Sequence, residues 1–216
     1  MNAVLNWLHR KGKQLALIPR QTGYYNLPGI RAGNWGIETR LRGLQELLSV
    51  AQGKSVLDLG CAEGMISREF CRHGAATIHG FDINLDQVRI ARREVPKAAE
   101  IGTQISFHRA DFGYWDRFVA ANRKSMNGQY DIVLLLSVLE KLPESNQDTI
   151  LDGLMAFSRG WIGLRIAPET RDSRQIIQKF SDNGFELAFE NDGVPDDPSG
   201  QETGWLGVFR KPSATS

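Results

Sequence analysis

The stretch Val56-Leu57-Asp58-Leu59-Gly60-Cys61-Ala62-Glu63-Gly64 decides how this chain is read. Its first four residues are a short apolar run with one acid, bounded by Gly53 and Gly60, which suits a central parallel strand covered on both faces. The run then breaks into a glycine-rich turn, and Ile66 and Phe70 mark the core side of a helix beyond it. A strand that hands over to a helix in this way aims backbone N–H groups and the helix's positive end at whatever binds there. The stretch predicts a strand, a turn and a helix that together form a cofactor site.

The same alternation repeats downstream. Thr77 to Asp82 reads as a second strand ending in an acid, and Asn84 caps a helix with Leu85, Val88, Ala91 and Val95 inward. Gln104 to Arg109 is a third strand, leading to Ala110-Asp111-Phe112 and a short helix within 112 to 122. Tyr130 to Leu136, the most continuous apolar run, is the next central strand, followed by a helix from about Asn146. Trp161 to Ile166 is a fifth strand, and Asp172 or Ser173 caps the helix closed by Asn183 and Gly184. Phe185 to Phe189 and Trp205 to Phe209 are strands without a helix between them, so they should pair antiparallel. The fold class expected is α/β, a doubly wound, seven-stranded, mostly parallel sheet.

Upstream of the decisive stretch the composition changes. Residues 1 to 20 mix Val4, Leu5, Leu8, Leu15 and Leu17 with five basic residues and no acid, the pattern of a basic amphipathic helix. Residues 21 to 36, rich in Gly, Tyr, Trp and Pro, read as an ordered loop. Ile37, Leu41, Leu44, Leu48 and Ala51 then form one helical stripe stopped by Gly53. Residues 1–54 carry a net charge of +6 and the remainder −5, although the whole chain sums to +1. This places a boundary between an N-terminal helical and loop extension (1–54) and a main domain (55–210). With 216 residues, 41% of them hydrophobic, the chain can bury a full core. Only Cys61 and Cys71 are present, too few for a disulfide framework, which points to the cytoplasm. No stretch reaches the roughly 18 apolar residues of a membrane span.

Two cofactor readings compete for the turn at Gly60. A nicotinamide or flavin fingerprint wants G-x-G-x-x-G, and Ala62 and Met65 stand at its second and third glycines. The pattern Asp58-x-Gly60-x-x-x-Gly64 resembles instead the first motif of the class I S-adenosylmethionine-dependent methyltransferases. The resemblance runs over about residues 37 to 210. It implies strand order 3-2-1-4-5-7-6 and S-adenosylmethionine as cofactor, its methionine end cradled by the turn with Asp58, Gly60, Cys61 and Gly64. Glu63 reads either as a first-turn helix acid or as a contact to the cofactor's ammonium. Asp82, with Ile83 beside it, matches the acid that accepts from both ribose hydroxyls. Asp111 matches the acceptor for the adenine amino group, with Phe112 on the ring, and Leu136 ends the strand where methionine moiety and acceptor meet.

Ser137 to Pro143 resembles the loop that reads Leu-Glu-His-Leu in many members, with Lys141 where the histidine would be. Glu140, Lys141 and His108 are base candidates by position, and Glu140, Lys141, Tyr24 and Tyr25 are substrate-side candidates. Tyr24, Tyr25, Trp35 and Arg40 suggest a cover over the sulfonium, with Arg40 pairing with the cofactor's carboxylate. The expected function is methyl transfer to oxygen or nitrogen of a small or medium-sized acceptor. The alternatives are an RNA methyltransferase, favoured by the basic N-terminal region, and a non-catalytic cofactor-binding scaffold or regulatory protein. The absence of an Asn/Asp-Pro-Pro-aromatic motif after the fourth strand weakens amino methylation of nucleic-acid bases. No metal site is expected.

Overall fold

The computed structural model of the chain describes residues 23–27, 33–126, 128–167, 170–195 and 203–212. The basic helix expected over residues 1 to 20 lies outside them. Two three-residue strands, β1 (Gly23–Tyr25) and β2 (Gly33–Trp35), pair in parallel where the sequence predicts only an ordered loop. Runs this short show no period, and an isolated pair has little stability of its own, so its neighbours must hold it.

The stripe expected to be one helix over 37 to 51 is two, α1 (Ile37–Leu41) and α2 (Gln45–Ser49). The break falls at Gly43, whose φ is +80° and where a Cβ would stand 2.3 Å from the Leu206 side chain. Glycine takes this left-handed conformation without steric cost. The apolar spacing persists across the break because Leu44, Leu47 and Leu48 still face the sheet.

From Ser55 onward, strands and helices alternate as expected. β3 (Ser55–Leu59) leads to α3 (Met65–Arg72), β4 (Thr77–Asp82) to α4 (Leu85–Glu94), and β5 (Gln104–Arg109) to α5 (Trp115–Asn122). β6 (Tyr130–Leu136) then leads to α6 (Glu144–Phe157), and β7 (Ser158–Ile166) to α7 (Ser173–Asp182). β8 (Glu186–Pro195) and β9 (Thr203–Arg210) close the chain and run longer than their apolar cores suggested. Asn84 accepts the N–H groups of Asp86 and Gln87 at the start of α4. Of the two caps considered for α7, Asp172 is the one that accepts, from the Arg174 N–H at 2.9 Å.

These seven strands form one sheet in the order β5-β4-β3-β6-β7-β9-β8, parallel except for β9, which pairs antiparallel with both β7 and β8. Counted from β3 as first, this is the order the resemblance implies. β3 sits between β4 and β6, with Val56 opposite Ile78 and Ile132. Successive side chains point to opposite faces, so Val56, Ile132 and Leu134 pack under α2, α3 and α4, whereas Leu57, Val133 and Leu135 pack with α5, α6 and α7. Covering both faces explains the near-continuous apolar runs of β3 and β6.

At the end of the sheet where these strands begin, Asp131 accepts from the Ser55 N–H and hydroxyl at 2.8 Å each and pairs with Arg159 at 2.8 Å. This ties β3, β6 and β7 together and leaves their carboxyl ends as the place for a ligand.

Candidate functional site

At the carboxyl end of β3 the chain turns through two left-handed residues, Gly60 (φ +81°) and Ala62 (φ +48°), before Gly64 (φ +75°). The turn is fastened to β4: the N–H groups of Gly60 and Cys61 donate to the Phe81 carbonyl, and that of Ala62 donates to Asp82 Oδ2 at 2.9 Å. A Cβ on Gly60 would come within 2.4 Å of Val138, the residue two past the end of β6. A Cβ on Gly64 would meet Val95 at 2.6 Å and Ala91 at 2.9 Å, so that glycine serves the approach of α3 to α4.

The strand ends enclose a cavity of about 470 Å³, within the usual size of a small-molecule site. Asp58, Gly60, Cys61, Asp82, Ile83, Asp111, Phe112 and Leu136 all line it, as do Arg40, Tyr24, Tyr25 and Lys141. Gly64, Glu63 and Glu140 are not part of this wall among the described residues. Nor is His108, which stacks on Phe81 with ring centroids 5.4 Å apart.

Asp82 is buried, and each of its oxygens takes one backbone N–H, Oδ1 from Asn84 at 2.8 Å and Oδ2 from Ala62. A carboxylate has about four lone-pair sites, so these bonds leave it acceptor capacity for a ligand. Burial pushes its pKa up, while the backbone N–H groups of Asn84, Ala62 and Ile83 and the nearby Lys141 charge pull it back. Asp58 is pushed up to about 6 by burial, offset by the Ser67 hydroxyl, which donates to it at 2.6 Å, and reinforced by the Asp82 charge. Asp111 is exposed at the mouth, where it accepts the Gly113 N–H at 2.9 Å. Ile83 is 48% exposed, a large apolar group on the lip. Burial, and then the charges of Asp58 and Asp82, hold the Cys61 thiol well above its usual range, so it is no nucleophile.

The opposite wall comes from the N-terminal region and from the ends of β6 and β7. The Arg40 guanidinium is buried and lies 4.5 Å from the Trp35 ring centroid and 5.7 Å from that of Tyr24. It donates to Ser137 Oγ at 2.7 Å and to the Pro195 carbonyl at 3.2 Å. Ser137 stands in the left-handed region at φ +55°, an uncommon conformation for a residue with a side chain. Its N–H donates to the Arg165 carbonyl, and its own carbonyl accepts from Lys141 Nζ at 2.6 Å.

Arg165, buried in β7, donates to the carbonyls of Arg40 and Arg42 at 3.0 Å each. This residue was not singled out from the sequence, yet a charged residue inside the apolar run Trp161 to Ile166 was its signal. Tyr25 is held well above the usual phenol range by burial, so its hydroxyl stays neutral. Among the described residues no group of three or more His, Cys, Asp or Glu side chains could hold a metal ion.

This fold and its strand-end residues resemble those of the class I S-adenosylmethionine-dependent methyltransferases, and residues 56–159 match the family described as a methyltransferase domain. Ubiquinone biosynthesis O-methyltransferase from Bordetella avium is 29% identical over 123 residues, 57% of this chain and 46% of that protein. The enzyme of the same name from Escherichia fergusonii is 32% identical over 92 residues, 43% of this chain and 34% of that protein. The chain thus spans less than half the length of these curated relatives. Magnesium protoporphyrin IX methyltransferase from Synechocystis, crystallised with bound S-adenosylmethionine, superposes with a TM-score of 0.63 at 20% identity, covering 81% of each chain. A Thermoplasma acidophilum protein superposes over 99% of both chains with a TM-score of 0.57.

Proposed function

We propose that the chain transfers a methyl group from S-adenosylmethionine to an oxygen of a small acceptor. The observation that carries this reading is Asp82, a buried carboxylate at the end of β4 that lines the cavity, is aimed by backbone N–H groups and keeps acceptor capacity for a ribose diol. The rest of the wall fits the same cofactor. Asp111, Phe112 and Ile83 offer an acceptor and apolar surface for an adenine, and Arg40 offers a guanidinium for the carboxylate of the methionine end. Asp58, whose proton is held up to about 6 by burial, would be ionised more readily beside a cationic ligand.

When bound, the cofactor supplies a methyl group on a positively charged sulfur. The protein's part is then to hold the acceptor in line and exclude water. From the N-terminal region Tyr24, Tyr25 and Arg40 supply the cover, closing one side of the cavity. On the acceptor side Lys141 stands in the wall, whereas His108 and Glu140 do not, so of the three base candidates Lys141 is retained as the group that meets the acceptor. The relatives named for O-methylation in ubiquinone biosynthesis support an oxygen acceptor. The RNA alternative rests on the charge of residues 1–54 and gains no specific observation from the cavity.

Calorimetry with S-adenosylmethionine and S-adenosylhomocysteine, followed by transfer of a labelled methyl group into separated small-molecule, lipid, protein and nucleic-acid pools, tests the proposal. Label should enter the small-molecule or lipid pool. Cofactor binding without transfer to any pool would favour the scaffold reading, and label in RNA would replace the acceptor class.

A further inference from the structure

Glu63 belongs to the glycine-rich turn, yet it points away from the cavity. Its carboxylate is fully buried and accepts the Tyr24 N–H on Oε1 at 2.8 Å and the Tyr25 N–H on Oε2 at 3.4 Å. A buried carboxylate needs such donors, and β1 supplies them from 39 and 38 residues upstream. The side chains of these tyrosines form cavity wall. Tyr24 meets Tyr25 edge-on at 5.0 Å and Trp35 at 6.1 Å, and the Arg40 guanidinium lies over Tyr24 and Trp35. One carboxylate on the turn therefore fixes the backbone of the aromatic wall.

The residue before it, Ala62, donates its N–H to Asp82 while held at φ +48°. An L-residue keeps that conformation only where its surroundings enforce it. The Asp82 bond and the two β1 bonds on Glu63 act on consecutive residues, so they enforce it together.

We infer that Glu63 is a positioning residue that couples the ribose-binding acid to the aromatic wall, so that β1 is seated when the turn holds its cofactor-binding shape. This rests on the cofactor reading proposed above. By linkage the coupling is reciprocal: cofactor binding must tighten β1 on Glu63 as much as β1 tightens the cofactor.

The test uses the full chain, Glu63→Gln, Glu63→Ala and, as a stability control, Ile176→Val on the buried face of α7. Affinity for S-adenosylhomocysteine is measured by calorimetry, and amide exchange of the peptide containing Tyr24 and Tyr25 is followed by mass spectrometry with and without that ligand. In the wild type the ligand should slow exchange at these amides. Glu63→Gln should bind it about tenfold more weakly, within the usual range of coupling between sites, and lose the ligand-dependent slowing. Ile176→Val should lower Tm and leave both readouts unchanged. If Glu63→Ala does not fold, the nearly isosteric Glu63→Gln carries the comparison. Retained affinity or retained slowing in Glu63→Gln overturns the coupling, whereas a wild type that does not bind the ligand overturns the cofactor reading instead.

Discussion

At Asp82 backbone N–H groups hold both oxygens, so the side chain is already aimed before any ligand arrives. Asp82→Ala removes both the acceptor for a diol and the anchor of Ala62. Charged hydrogen bonds of this kind are worth about 1.5–3 kcal/mol, so calorimetry should find S-adenosylhomocysteine bound roughly ten- to hundredfold more weakly. Unchanged affinity would remove Asp82 from the site. Asp58 makes a different prediction, about pH. Its proton leaves near 3.8 in an unfolded chain and near 6 in the folded one. The folded state therefore binds more protons between those values, and this group's contribution to stability falls as pH rises through the window. At roughly 1.4 kcal/mol per unit the penalty above pH 6 is at most about 3 kcal/mol. Asn has no proton to lose, so Asp58→Asn should gain in Tm over the wild type as pH is raised from 4.5 to 8. A difference that stays flat across that range would show that burial does not raise Asp58. Asp131, held below the usual carboxylate range chiefly by the Arg159 guanidinium, has the opposite sign, but it is common to both proteins and cancels in the comparison.

At the scale of elements, packing decides what spacing leaves open. Gly153 sits inside α6, where replacing glycine with alanine ordinarily stabilises by about 0.5–1 kcal/mol. Here a Cβ would fall 2.1 Å from the Trp115 ring, which is itself wedged between Phe118 and Phe157. Overpacking of that sort costs roughly 1–3 kcal/mol and outweighs the propensity gain. Gly153→Ala should therefore lower Tm by several degrees, and a rise would mean that Trp115 moves aside freely. The same contest explains which elements could be read in advance. The runs of β3 and β6 are buried on both faces, so their apolar character was visible without a partner. The caps Asn84 and Asp172 act on N–H groups two or three residues away, which sequence spacing encodes. The break at Gly43 was hidden because the stripe from Ile37 to Ala51 keeps helical spacing on both sides of it, and only Leu206, far along the chain, shows why the glycine is needed. β1 and β2 were hidden because three residues carry no period and their support, Glu63, comes from another part of the chain.

Across the whole molecule the two ends of the sheet divide the work. The bracket of Ser55, Asp131 and Arg159 fastens β3, β6 and β7 where they begin, and the opposite ends open into the cavity. The acids that end or follow strands were legible because each motif lies within a few residues of its strand. The second wall was only half legible: Arg40 and the tyrosines stood out by composition, whereas Arg165 and Ser137 join them through bonds spanning 97 to 125 positions. That wall yields a prediction for deletion of residues 1–34. β1 and most of β2 are lost, but neither belongs to the seven-stranded sheet, so circular dichroism should still report a folded α/β domain. Glu63 would be left without the two N–H groups it accepts, and Trp35, buried at 6% exposure, would lose the Tyr24 ring beside it. An uncompensated buried carboxylate costs several kcal/mol unless it draws in water or a proton. The turn that carries Ala62 must then rearrange, and Asp82 loses a donor that aims it. The truncated chain should melt at lower temperature and bind S-adenosylhomocysteine at least about tenfold more weakly. Binding at full affinity would show that the N-terminal wall contributes nothing to the cofactor site and that its aromatic residues serve packing alone.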